Sequence, residues 1–316
     1  MKRFLFITAL LFGGAGYSNI APAQDNSGAM LQQMSRASQS LSYEIYFINV
    51  SRQGIESFRY RHMLAGKETL AQLLHLDGPR REVVQRARNI SYFEANLDPF
   101  TLSGDHMVDA LPALIYANFP RLSAYYDFIP TGRIRLADRQ SDVVRIVSRD
   151  GTRFSYVICL DATTRLPLRV DLLDQNGELL EQYRVLSMTV DGSVQSEMKS
   201  LERMSLPPLL SVPMAASADF AWSTQWLPNG VEEISRSQRP LPSGGVPVES
   251  RLYSDGLFSF SVNVSPVGDT HPDQNALLGR RMIHSVVREK HEITVIGELP
   301  LATAKRIADS VSFTAP

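Results

Sequence analysis

Apolar and polar positions alternate with a period of two along much of the chain. In 150–190 the alternation is continuous. Phe154, Tyr156, Ile158 and Leu160 are interleaved with Ser155, Val157 and Cys159; Leu166, Leu168, Val170 and Leu172 with Pro167, Arg169 and Asp171. Successive side chains of a strand leave to opposite faces, so this spacing predicts strands with one residue set per sheet face. Asp174-Gln175-Asn176-Gly177 supplies turn residues before strand formers resume over 179–190, because Gly tolerates the positive φ of a tight turn. Upstream, the same pattern predicts strands over 43–50, 55–62, 68–76, 81–86, 90–94, 132–136 and 141–148. Asp150-Gly151 reads as a two-residue hairpin turn into 150–190. The stretch 43–50 is largely apolar on both faces, which suits a central strand or one facing a cavity.

Helical spacing is confined to short segments. Met30, Met34, Ala37 and Leu41 predict a helix capped by Asn26 or Ser27, with the stripe packing into the core. After a loop over 95–105, residues 107–119 predict a helix with Leu111, Leu114 and Ile115 inward. Pro112 is tolerated only in a first turn, so its start is placed near Ala110. A third helix is expected over 194–204. About ten strands in series with little helix between them predict a mainly β fold, a large curved antiparallel sheet with helices on its concave face. Such a sheet encloses an apolar cavity unless side chains fill it.

Beyond 205 the pattern changes. Leu206-Pro207-Pro208-Leu209-Leu210-Ser211-Val212-Pro213 reads as extended linker, since Pro fixes φ and restricts its predecessor. The expected organisation is a large domain over 24–205, a Pro-rich linker over 206–218 and a smaller α+β domain over 219–316. In the last, Asp255-Gly256 predicts a hairpin joining 248–253 to 257–264. Strands are expected over 281–288 and 292–297, loops over 240–247 and 268–275, and a closing helix over 300–311 carrying Leu301, Ala304, Ile307, Ala308 and Val311. A length of 316 residues fits two domains.

The N-terminus carries Met1-Lys2-Arg3, an apolar run over 4–12 too short to span a bilayer, and Ala21-Pro22-Ala23. This is the pattern of a secretory signal peptide over 1–23, and it predicts an exported protein, best placed in a periplasm. A formal net charge of -1 gives no global basic excess for nucleic acid. A single cysteine, Cys159, excludes an internal disulfide and reads as a small buried hydrophobe.

The chemistry-bearing residues form no catalytic pattern. None of His62, His75, His106, His271, His284 and His291 has a helical His partner three or four residues away, as a helical zinc motif needs. There is no nucleophile elbow or phosphate loop, so no catalytic, metal or cofactor residue is expected. Two binding features remain. Phe93, Phe100, Leu114, Tyr116, Phe119, Tyr125, Tyr126 and Phe128 line either a lipid pocket or an ordinary core; burying an acyl chain contributes about 0.8 kcal/mol per CH₂. Arg239, Arg251, Arg280 and Arg281, with Tyr253 and Phe258, form either an interface for an acidic protein partner or a solvated face.

Several stretches resemble one family: AMLQQMSRASQSLSYEIYFI at 29–48, GPRREVVQR at 78–86, SYFE at 91–94, LPLRVDLLD at 166–174, LPPLLSVP at 206–213, ESRLYSDGLFSFSVNV at 249–264 and IGELP at 296–300. They resemble the RseB/MucB family, periplasmic negative regulators of the sigma-E envelope-stress response, over nearly the whole mature chain. The resemblance implies that the large domain is an open, unclosed β-barrel like those of outer-membrane lipoprotein carriers. It implies binding to the periplasmic region of the anti-sigma factor RseA, shielding RseA from the site-1 protease. It also implies release by a lipid-bearing signal, lipopolysaccharide or mislocalised lipoprotein. The competing reading is a periplasmic lipid or lipoprotein carrier. Self-association into a homo-oligomer is left open by the sequence.

Overall fold

The computed structural model describes residues 23–108, 111–211, 219–239, 247–267 and 274–314. The expected signal peptide lies outside these apart from Ala23, as do the linker's second half, 212–218, and most of the two expected loops, 240–246 and 268–273.

Helix α1 (Ala23–Ser40) leads into six consecutive strands: β1 (Tyr43–Ser51), β2 (Gly54–Ala65), β3 (Glu68–His75), β4 (Arg81–Arg86), β5 (Asn89–Glu94) and β6 (Phe100–Ser103). A 3-10 turn, Ala113–Tyr116, and a one-turn helix α2 (Phe119–Leu122) follow. The chain then returns through β7 (Tyr126–Leu136), β8 (Arg139–Ser148), β9 (Ser155–Asp161), β10 (Pro167–Leu173) and β11 (Leu179–Thr189). The two meanders join where β1 pairs with β11, giving the order β6-β5-β4-β3-β2-β1-β11-β10-β9-β8-β7. The ends β6 and β7 do not meet, so this antiparallel sheet is unclosed.

Alternation decides the packing. Tyr43, Ile45 and Phe47 of β1, Phe58 and Tyr60 of β2, and Tyr183 and Val185 of β11 turn to one face. They share a core with Leu31 and Met34 of α1 and Phe119 and Leu122 of α2. Burying each large apolar side chain is worth about 1.5–3 kcal/mol. Met63 and Leu70 take the opposite face, where Val194 and Met198 of α3 (Ser193–Glu202) cover them.

Beyond 219 lie β12 (Trp222–Thr224), β13 (Glu232–Arg239), β14 (Val248–Ser254), β15 (Ser259–Pro266), β16 (Gln274–Leu278), β17 (Arg281–Arg288), β18 (His291–Gly297), α4 (Leu301–Asp309) and β19 (Val311–Phe313). A six-stranded antiparallel sheet runs β13-β14-β15-β18-β17-β16. One face packs Val262, Ile293 and Val295 against Ala304, Ile307 and Ala308 of α4, Trp222 of β12 and Val311 of β19.

Five sequence expectations change. Helix α1 already runs from Ala23, so Asn26 and Ser27 lie inside it and do not cap it. No continuous helix covers 107–119: Pro112 caps the 3-10 turn, and Asn118 restarts the chain as α2 with Pro120 in its first turn. Proline lacks the N–H a continuing helix needs. Part of the loop 95–105 is strand β6, paired to β5. Val311 ends not in the closing helix but in β19, opposite Thr224. Asp150-Gly151 does not close a two-residue hairpin. Six residues separate β8 from β9, and the Asp150 carboxylate braces that loop by accepting from the Thr152 N–H at 3.1 Å and Arg153 Nη1 at 2.9 Å. The described half of the linker lies against the sheet. Pro208 O accepts from the Thr101 N–H at 2.9 Å, and Thr101 O accepts from the Leu210 N–H at 2.7 Å, so 206–211 covers the β6 edge.

Candidate functional site: a cavity beside a buried seam

The concave face of the large sheet is not filled throughout. A cavity of about 510 Å³ lies over Phe58, Leu73, Val83, Tyr92, Tyr156, Val170, Leu172 and Tyr183, within the range of ligand pockets. Cross-strand pairing assembles this floor: Leu73 opposes Val83, which opposes Tyr92, while Leu172 opposes Tyr156. Glu56, Arg81, Glu94 and Glu181 supply charge around it beside His75, and Val108, Leu111, Pro112 and Ala113 border one side. The turn between β16 and β17, residues 278–281, borders it from the small sheet. Burial, aided by the Arg81 charge, holds the His75 imidazole below its usual pKa. An apolar floor with a charged rim suits an amphiphile, its chain inside and its polar head outside.

Next to the cavity the two sheets are joined by a buried polar seam. Asp255, on the β14–β15 turn, is wholly buried. Its Oδ2 accepts from Tyr126 Oη at 2.5 Å and from Arg153 Nε at 3.0 Å, and its Oδ1 accepts from the Leu257 and Phe258 N–H groups at 2.9 Å each. Arg153, itself buried, also donates to Asp150 and to Asn229 O. Burial, reinforced by the Asp255 charge, pushes the Tyr126 hydroxyl far above its usual pKa, which keeps it a donor. Burial opposes ionisation of Asp150, yet hydrogen bonds from Thr152 and Asn229 and the Arg153 charge hold its carboxyl below the usual range. The Phe258 ring stacks on Tyr156 at 5.2 Å, and Thr303 Oγ1 donates to Thr152 O at 2.8 Å. Gly230 sits so close to Tyr125 that a Cβ there would fall 2.5 Å from the ring.

The eight aromatic and aliphatic candidates are not the cavity lining. Leu114, Phe119, Tyr126 and Phe128 are core residues, with Phe119 and Phe128 packed edge to face at 5.8 Å. Tyr116 stacks on His106, and Tyr125 lies at the seam. Phe93 opposes Glu82, one residue out of phase with the inward Tyr92. Phe100 comes nearest, stacked on Tyr92 at 5.1 Å. Alternation in 68–94 revealed the two residue sets but not which set turns inward, so Leu73, Val83 and Tyr92 were missed.

The six basic and aromatic candidates are not brought onto one face. The Arg251 guanidinium lies 4.7 Å over Trp222 and bonds Glu233 and Trp222 O, so its aromatic partners are internal. Tyr253 is buried against Phe260, and Phe258 is buried in the seam. Arg280 borders the cavity, bonded to Glu181 at 3.3 Å and Glu298 at 2.9 Å. Arg239 and Arg281 are exposed. Among the described residues, no three His, Cys, Asp or Glu side chains group as metal ligands would. Burial pushes the Cys159 thiol up to about 11.

Two family models match in chain order: the MucB/RseB N-terminal domain over residues 26–210 and the MucB/RseB C-terminal domain over 216–312. The sigma-E factor regulatory protein RseB of Escherichia coli K12 is 54% identical over 316 residues, 100% of this chain and 99% of that protein. The sigma factor AlgU regulatory protein MucB of Pseudomonas aeruginosa is 28% identical over 292 residues, 89% of each chain. The structure of the Pseudomonas aeruginosa MucA/MucB complex aligns with a TM-score of 0.73 at 25% identity, over 92% of this chain and 100% of that one. A structure of MucB in complex with MucA(peri) gives 0.71 at 26% identity, over 92% and 100%. No described helix is long and apolar enough to cross a membrane. The open eleven-stranded sheet, the smaller sheet after it and these matches along almost the whole length place the chain in the MucB/RseB family.

Proposed function

We propose that the protein is a periplasmic regulator of a sigma-E-type stress response. It binds the periplasmic segment of an anti-sigma factor, shields that segment from the site-1 protease, and lets go when the cavity takes up a lipid-bearing signal such as lipopolysaccharide or a mislocalised lipoprotein. Its role is binding, not catalysis. The observation that carries this reading is the family membership over both sheets, together with relatives captured with MucA. The cavity supports the lipid arm, because its floor is apolar and its rim charged. The chain is read as two working units divided at 206–218, the larger for lipid and the smaller contributing to the protein interface through exposed positions such as Arg239 and Arg281. The carrier reading calls for the cavity alone and gives no role to a second sheet fixed by a buried ion pair. The test is cleavage of the purified anti-sigma periplasmic segment by the site-1 protease. Stoichiometric protein slows cleavage at least about tenfold, about 1.4 kcal/mol of protection; an unchanged rate refutes the reading.

A further inference from the structure

The cavity belongs to the large sheet, but its mouth is not completed by the large sheet alone. Residues 278–281, the tight β16–β17 turn, lie at its edge. Leu278 borders the cavity yet is 59% exposed, a large aliphatic side chain left uncovered on an otherwise charged rim. Gly279, at φ +59, lies against the Gln53 side chain of the β1–β2 turn. Arg280 bridges the two bodies, pairing with Glu181 of β11 on one side and Glu298 of its own sheet on the other. Leu277 packs against both hydrophobic cores. The turn is therefore an extension of the small sheet resting on the rim of the large one, held there by the packing of Leu277 and by an ion pair whose side chains are 25% and 28% exposed. Apolar surface of an entering chain buried against Leu278 offsets the loss of that pair.

We propose that the 278–281 turn is a gate carried by the small sheet. A long-chain amphiphile entering the cavity covers Leu278 and separates Arg280 from Glu181, and because the turn is continuous with β16 and β17, its displacement shifts the small sheet against the large one. This inference rests on the lipid arm of the proposed function and supplies its moving part: occupancy of one sheet is reported as the position of the other.

The test uses the full mature chain and 1-palmitoyl lysophosphatidylglycerol below its micelle concentration. In the Glu181→Cys/Arg280→Cys variant, a short bis-maleimide ties the turn to β11, while Cys159 is buried and stays unlabelled. Each single-cysteine variant capped with a monomaleimide is the control. The tied protein binds the probe at least about tenfold more weakly than either control. Spin labels at Lys67→Cys and Lys305→Cys, one on each body, report a changed separation when the untied protein takes up the probe. Equal affinity of tied and untied protein, or binding with an unchanged label separation, overturns the gate and leaves the lipid arm standing. Failure of the controls and of the unmodified chain to bind the probe overturns both.

Discussion

Asp255 and Arg153 are 0% and 1% exposed at the side chain and paired with each other, and Arg153 is also paired with Asp150. Removing Asp255 strips a buried guanidinium of one of its two carboxylates and leaves its Nε without an acceptor. Asp255→Ala is expected to cost about 3–5 kcal/mol, read as a lowered urea midpoint or as separate transitions for the two sheets. Tyr126→Phe removes only a hydrogen bond to that carboxylate and should cost about 1.5–3 kcal/mol. Substitution of Tyr253 or Phe119 to Ala acts in the same register, about 3–5 kcal/mol of core packing, and is a poor probe of any surface. Histidine gives a pH signature. Burial holds the imidazoles of His62, His75 and His106 below their usual pKa of 6.5. A depressed folded-state pKa means that the unfolded chain binds protons first. The contribution is therefore fully present above pH 6.5 and is lost as pH falls through the folded values. Denaturation midpoints from pH 8 to pH 5 should decline below about pH 6.5, and the decline should be smaller in His62→Gln. None of the seam residues was legible as a contact from sequence. Asp255-Gly256 and Asp150-Gly151 both read as turn chemistry, and nothing local shows that one turn's carboxylate and the next loop's arginine meet across 102 residues.

At the scale of elements, alternation carried the large sheet well, because strands with one buried face advertise that face every second residue. It failed where proline or charge interrupted the pattern. Pro112 and Pro120 broke the expected helix over 107–119 into a 3-10 turn and a single α turn. β13, with sequence EEISRSQR, carries no apolar stripe because it is an edge strand. The cavity was legible in kind but not in residues, since a one-residue phase error exchanges Tyr92 for Phe93. The linker is the element with the clearest consequence. Its described half is pinned to β6 through the backbone of Thr101 and by the Thr101 hydroxyl donating to Pro207 O at 2.8 Å. Thr101→Pro removes the N–H that meets Pro208 O. Limited proteolysis within 206–211 should accelerate at least about fivefold, on the order of 1 kcal/mol of lost protection. Cleavage at the unchanged rate would show that the linker is held by something other than this pairing.

For the whole molecule, the 149–156 segment takes a different place from the one its pattern suggests. It looks like a hairpin in a barrel wall. It is also where the small sheet docks: Asp150, Thr152, Arg153 and Tyr156 all touch residues beyond 219. The cavity floor at Tyr156 and the seam at Phe258 share one ring stack, so the cavity and the docking of the small sheet are physically adjacent. The central claim is that occupancy of this cavity weakens the grip on an anti-sigma factor. The direct measurement is the Kd of the mature protein for the periplasmic segment of its anti-sigma factor, taken by calorimetry with and without saturating lipopolysaccharide. The account predicts binding that weakens about tenfold when lipid is present, a coupling of about 1.4 kcal/mol. Lipid that binds the protein while leaving that Kd unchanged would contradict it.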